Sequence, residues 1–450
     1  MSKQKWLSKM FEGLDSCIER APALFSHPVL YDKHVLSQDE HSETVKRMLK
    51  TNLIVRWGRC FKFTDEPKLE SYFAQHDLDV NENLHGSSMD IDKERAKIKA
   101  IGECLERLSL IYPRRHRFIN ATFREIVSLG EDALDPGLCM NFSESYLPLK
   151  SIEYLDILRT SHMRWVIGKN LIKNKPAFIP YQLVFLPTID ELEHDPLIRV
   201  PITTGTACGD GFEDAVLKGI MECIERDSNM LCWLTKKDVP RVILDLPLFM
   251  EIEKYTARYN LELYVWDLTS DIGIPSMMAI VINRTGIGPA ISAGTKADLD
   301  PKKAVIGAIY EALHCRFWIR SLYQKKQHTI KAEDVIDLPS RGFYWYRLDM
   351  IKQLDFLMNT QNKIMLSEIR DLTSDSDRLV FTLNILTERG ISAYATDITL
   401  PQIKEWGFAV VRTVLPELHP MHLDEDMPYY YSQRLAKHKQ VLNKIPAPFL

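Results

Sequence analysis

TTGTACGDGFEDAVLKGIMECIERDSNMLCW, residues 203–233, decides how this chain reads. A small, Gly-rich turn (Thr203, Thr204, Gly205, Ala207, Gly209) runs into an amphipathic helix bearing Glu222-x-x-Glu225-Arg226-Asp227. Backbone amides at such a turn and at a helix N-terminus hold anions. Two glutamates three residues apart lie on one helical face, where they can share a cation. A phosphate cradle followed by metal-binding carboxylates is what a Mg-nucleotide needs. Taken alone, the stretch reads more simply as a capped helix with a solvated charged face.

The helix recurs. Ala96-KIK-AIGECLERL and Ala304-VIG-AIYEALHCR repeat the pattern of Ala215-VLK-GIMECIERD: an alanine, a second small residue (Ala100, Gly219, Ala308) four later, then a glutamate (Glu103, Glu222, Glu311). The first two copies add Glu106-Arg107 and Glu225-Arg226, whereas the third has His314 and Cys315 there. Ile101, Leu105 and Leu108 form one face of the first helix, as Leu217, Ile220 and Ile224 do in the second. The glutamates fall on the other side, beside the small residues, where close approach to the helix is possible. If the helices converge, five carboxylates share one place. Two such charges about 5 Å apart repel by about 3 kcal/mol at an effective dielectric of about 20, so cations must join them. Hard oxygen ligands point to Mg²⁺. The chain has no Walker A loop, kinase set or Rossmann fingerprint.

At 450 residues the chain has ample core for an enzyme. Hydrophobic residues make up 45% and charged residues 26%, as in ordinary globular proteins. A net charge of -4 gives no general attraction to nucleic acid or membrane. The eight cysteines form no C-x-x-C pair and read as reduced core residues of a cytoplasmic protein. No apolar run suits a secretory signal or a membrane span.

Leu7, Met10, Phe11, Leu14 and Ile18 predict a one-sided helix over 4–20. Asn52–Phe63, Trp165–Gly168 and Phe178–Leu186 predict strands, and Glu191–Leu197 a charged loop. Leu263–Thr269 into Met277–Ile282, and Tyr394–Thr399 into Phe408–Val414, read as strand, Asp-x-Thr turn, strand. Tyr112–Arg117 is a basic run. Asp227 projects on the apolar arc of its helix and needs an Arg or backbone partner. The chain ends in Asn443-Lys-Ile-Pro446-Ala-Pro448-Phe-Leu450, whose prolines stiffen it enough to hold a path without hydrogen bonds. Interspersed elements imply one composite α/β body, with residues 1–84 part of it or packed on it and 85–450 as the main domain.

These residues together resemble the YcaO family of ATP-using enzymes. The matching stretches are 203–227, Ala96–Arg107, Ala304–Arg316, Asp267–Thr269 and Leu418–Leu450. The resemblance implies a mixed α/β (α+β) YcaO-like fold in which Glu103, Glu106, Glu222, Glu225 and Glu311 bind Mg²⁺ around ATP. Thr203, Thr204, Gly205, Ala207 and Gly209 would line the nucleotide, with Arg107, Arg226 and Arg316 near its phosphates. The tail resembles that of the branch forming azoline rings in ribosomally made peptides, which implies catalytic roles for Pro448 and Leu450. His314 is a candidate base. The sequence departs from that branch at Leu450, where proline is usual, at Lys99, where serine is common, and at the turn 85–90, which is less Gly-rich.

The implied reaction is ATP-dependent cyclodehydration of a precursor peptide to thiazoline or oxazoline. It implies a leader-binding partner, a flavin dehydrogenase and a homodimer within a synthetase. No leader-binding module is read before residue 50, so a separate partner is expected. Thioamide formation with the same ATP chemistry, a non-catalytic nucleotide-binding scaffold, and metal-dependent phosphoester hydrolysis are the other readings.

Overall fold

Three long helices dominate the chain: Lys93–Ile111 (α1), Phe212–Thr235 (α2) and Pro301–Lys325 (α3). Their ends follow local chemistry. The Asp92 side chain caps α1 by accepting from the Arg95 amide. Gly211, at φ 94°, turns the chain into α2. Pro301 opens α3, where a missing amide hydrogen costs nothing. The computed structural model describes residues 42–54, 56–61, 63–77, 83–112, 118–142, 151–186, 195–325, 330–366, 374–438 and 442–449. The helix expected over 4–20, most of the basic run, residues 191–194 and Leu450 lie outside these.

Three sheets carry the helices. The first is an antiparallel meander of β1 (Arg56–Arg59), β2 (Glu70–Asp77) and β3 (Asn83–Asp90). The second holds six strands: β4 (Phe118–Ala121), β5 (Met163–Asn170), β6 (Lys175–Pro180), β7 (Thr206–Gly209), β13 (Tyr394–Asp397) and β14 (Ala409–Val414). They run in the order β4-β5-β13-β14-β7, with β6 on the other side of β5. The third contains β8 (Arg241–Val242), β9 (Leu261–Asp267), β10 (Ser276–Asn283), β11 (Ile291–Ala297) and β12 (Lys363–Ile364), in the order β11-β10-β9-β8-β12. The strands β3, β7 and β11 each end their sheet, and each leads directly into α1, α2 or α3. Every glutamate helix therefore follows an edge strand.

Packing explains the helical faces. Ile101, Leu105 and Leu108 of α1 are buried in a core with Trp165, Tyr181 and Val410. Leu217, Ile220 and Ile224 of α2 pack with Ile391, Val411 and Leu415. The far end of α2, with Trp233, enters another core with Trp266, Trp345 and Phe449. Seven cysteines in the described residues are free and buried.

Both Asp-x-Thr turns form as expected. The Thr269 amide donates to Asp267 at 2.8 Å and the Thr399 amide to Asp397 at 3.0 Å. Asp227 finds both kinds of partner, Arg434 Nε at 2.7 Å and the His419 amide at 2.8 Å. Strands β1, β2 and β3, which lie on both sides of residue 84, share one sheet. Two expectations change. The strand predicted over Phe178–Leu186 stops at Pro180, and Tyr181–Val184 is a single helical turn with all four residues buried. The turn at 203–209 does not run straight into a helix. Residues 206–209 pair with β14 first, and α2 starts at Phe212.

Candidate active site

The five glutamates meet the edge strands. Glu103 Oε2 accepts from the Ser87 amide at 2.7 Å, Glu222 Oε2 from Gly205 at 2.9 Å and Glu311 Oε2 from Thr295 at 2.6 Å. In each case a helix reaches back to the strand that precedes it or, at Gly205, to the residue just before that strand. The second glutamates reach onward to the next unit. Glu106 Oε1 accepts from the Cys208 amide of β7 at 2.7 Å. Glu225 accepts from the Thr295 hydroxyl at 2.7 Å and from the Ala297 amide of β11 at 3.2 Å. The third helix packs against β3 and closes the circuit, with His314 standing where the other two carry glutamate. Strand–helix units one, two and three thus form a pseudo-threefold ring, and carboxylates satisfy amides that edge strands leave unpaired.

A glycine precedes the first glutamate of each unit by seventeen residues: Gly86, Gly205 and Gly294. A Cβ on Gly86 would run into the Ala100 carbonyl, and one on Gly294 into that of Ala308. A Cβ on Gly219 would stand 2.7 Å from the Gly205 carbonyl oxygen. The small helix residues beside the glutamates therefore admit the preceding strand, not an open ligand space. The close approach expected beside the small residues is made by the preceding strand, which explains how the carboxylates reach the amides. The glycine spacing was legible in the sequence and was the signal for this contact.

The turn residues are likewise engaged within the protein. The amides of Gly205 and Cys208 are taken by Glu222 and Glu106, so they do not form a free anion cradle. Ala207 is buried opposite Val411, and Gly209 packs against the Ala215 backbone. Thr203 is exposed and Thr204 half-buried, leaving these two side chains at the surface of the ring.

Charge in the ring is unbalanced. Burial raises the Glu106 carboxyl to about 8, helped by repulsion from Glu222 and Glu103. Burial and repulsion from Glu225 raise Glu311 to about 7, and the same two causes raise Glu222. Arg226 lies 3.9 Å from Glu222, and against the pull of burial its pKa is held up by Glu225, Glu222 and Glu311. Lys296 is solvent-accessible but crowded by protein, and against that desolvation its charge is held up by Glu225, Glu311 and Glu222. Arg107 is 2.5 Å from Glu103 and also donates to the His85 carbonyl. Burial, with Arg107 and Lys99 nearby, lowers His314 to about 4, so it is a neutral imidazole at pH 7.

Not every expected residue joins the ring. Arg316 is buried, with Nε 2.8 Å from Glu66 and its other nitrogens donating to the Pro289 and Ile287 carbonyls at 2.6 and 3.0 Å. As it stands it is committed to that network and not turned to a phosphate. Pro448 is buried in the tail, which hydrogen bonds also hold in place. Trp233 Nε1 donates to the Ile445 carbonyl at 2.7 Å, Trp345 Nε1 to Pro446 at 3.1 Å and Arg341 to Ala447 at 3.3 Å. Along α2, Trp233 is about 12 Å from Glu225 at 1.5 Å per residue. Pro448 brings no side chain able to carry a proton.

Among the described residues, no three acidic, His or Cys side chains close on one point as they stand. The donor set nevertheless fits a hard dication. Glu106, Glu222 and Glu311 each give one oxygen to a strand amide and keep the other. Because their pKa values are raised, a cation entering here displaces protons and relieves the repulsion.

The family model described as YcaO cyclodehydratase, ATP- and Mg²⁺-binding, matches residues 89–419. This chain belongs to the YcaO family. An uncharacterized protein of Methanothermobacter thermautotrophicus is 28% identical over 278 residues, covering 59% of this chain and 68% of that protein. The YcaO protein of Methanopyrus kandleri bound with AMPPCP and Mg²⁺ superposes with a TM-score of 0.63 at 17% identity, covering 90% of this chain and 98% of its own. A heterocyclase in complex with substrate and cofactor gives a TM-score of 0.69 at 20% identity. That match covers 92% of this YcaO chain, which spans 58% of the heterocyclase. At these identities the likeness is one of fold. No described helix is long and apolar enough to cross a membrane.

Proposed function

We propose that this YcaO protein is an ATP- and Mg²⁺-dependent cyclodehydratase acting on a ribosomally made precursor peptide. The observation that carries the reading is the ring of five glutamates, three of them with an uncommitted oxygen and too little positive charge around them. Glu106, Glu222 and Glu311 would hold Mg²⁺, with Glu103 and Glu225 ordering the strands behind them. Bound Mg²⁺ supplies charge neutralisation for the polyphosphate of ATP. Thr203, Thr204 and Arg226 border the ring and would contact the nucleotide.

In the reaction, the side chain of a Cys, Ser or Thr adds to the carbonyl carbon of the preceding amide. The former carbonyl oxygen takes the terminal phosphoryl group of ATP and departs as phosphate, leaving ADP and a C=N bond in the new ring. The thiol or hydroxyl proton and the amide proton are released. The net change in the peptide is loss of one water per ring. A neutral His314 is able to accept one of these protons. The leader-binding partner, a flavin dehydrogenase and a homodimer remain part of the proposal. Seven buried thiols suit a reducing, cytoplasmic setting. Thioamide formation by the same ATP chemistry is the second reading.

The test is ATP turnover with Mg²⁺ and candidate precursor peptides, with wild type beside Glu222→Gln. Peptide-stimulated phosphate release with loss of one water per ring is expected. Glu222→Gln should lower turnover by about 100-fold or more. Exchange of a peptide oxygen for sulfur would replace the first reading by the second, and nucleotide binding without turnover in the presence of the partner would overturn both.

A further inference from the structure

The three units of the ring differ in one respect that the repeat pattern hides. In units one and two the helix residue four before the first glutamate is a lysine, Lys99 or Lys218. The strand residue two beyond the glycine is small, Ser88 or Ala207. Unit three exchanges them: the lysine is Lys296 on the strand, and the helix has Gly307. Lys99 Nζ is 2.7 Å from Asp90 and Lys218 Nζ is 2.7 Å from Asp214, so both are spent on local carboxylates. Lys296 is exposed and makes no such pair among the described residues.

Its stem has a built seat. A methyl group on Gly307 would stand 2.7 Å from Lys296 Cγ, 3.1 Å from Cβ and 3.2 Å from Cδ. Glycine inside a long helix costs about 1 kcal/mol relative to alanine, and a freely solvated lysine would not require one beneath it. Gly307 and Glu311 are one turn apart on the same face of α3, so the seated stem lies at the carboxylate ring. Its neighbours Thr295 and Ala297 are already bonded to Glu311 and Glu225. The other ring cations are engaged, Arg107 with Glu103 and Arg226 beside Glu222.

We propose that Lys296 is a ligand for the phosphate chain of a nucleoside triphosphate at the carboxylate ring, its stem seated over Gly307 and its ammonium free to take anionic oxygens. This rests on the nucleotide reading of the ring. Lys296 acts beside the metal, answering charge that carboxylates would otherwise repel.

The experiment measures binding of ATP and of AMP, each with Mg²⁺, to wild type and Lys296→Met by calorimetry at several salt concentrations. Thermal melting confirms that this exposed substitution leaves the fold intact. One charge-assisted contact predicts a loss of about tenfold in ATP affinity, unchanged AMP affinity, and a weaker salt dependence for ATP. Equal ATP affinity in the two proteins, or equal losses for ATP and AMP, would overturn the assignment. Wild type that binds neither nucleotide would overturn the nucleotide reading, and the role of Lys296 with it.

Discussion

Two sets of acids in this protein meet the interior differently. Glu66 lies 2.8 Å from Arg316 and 2.6 Å from Arg320, Asp227 lies 2.7 Å from Arg434, and Glu425 lies 2.8 Å from Arg341. Each of these carboxylates has a guanidinium in hand. In the ring, Glu106 has one backbone amide, and Glu311 one amide with cations nearby but none in contact. Compensated acids hold the fold. Uncompensated ones keep capacity for a ligand's charge, at a cost in stability that the site's occupant relieves.

Breaking a compensated pair should have the largest effect. Arg434→Met leaves Asp227 buried with only the His419 amide, and should cost about 3–5 kcal/mol in urea unfolding. A loss below about 1 kcal/mol would erase the distinction. The second test acts on pH. Glu106 titrates at about 8 in the folded chain, above the ordinary glutamate value. The folded state therefore binds its proton more tightly than the unfolded chain does. That contribution is full at low pH and is lost as pH rises through about 8. The melting temperature of the metal-free protein should fall as pH rises from about 4.5 to about 8 and level off above that, and Glu106→Gln should flatten the fall. Glu311, at about 7, keeps the flattening incomplete. Mg²⁺ with ATP should recover wild type more than the variant, and identical pH profiles would break the comparison. The smallest effect belongs to the surface. Lys218 and Asp214 are 2.7 Å apart, but the lysine side chain is 54% exposed. Lys218→Met should change stability by no more than about 0.5 kcal/mol, and a larger loss would mean that distance matters more than burial.

Much of this was readable from the chain because it is local. Helical periodicity fixes which residues share a face, so the three helices, their apolar stripes and the five glutamates follow from spacing. Asp267 and Asp397 close their turns with threonines two residues on, and buried Asp227 needed a partner wherever it came from. Other features depended on contacts between distant residues. Glu106 meets an amide 102 positions away, and Arg316 meets Glu66 across 250. No periodicity encodes such partners, since they exist only once sheets pack. For the same reason the amides at 205 and 208 looked free for an anion when carboxylates already held them. The stiffness of the tail was legible in its prolines, but not its hydrogen bonds from Trp233, Trp345 and Arg341. Sequence by itself determined which side chains could act together. Tertiary structure decided which edge strands they serve, and which charges are left for a ligand, because only packing determines what neutralises a buried charge.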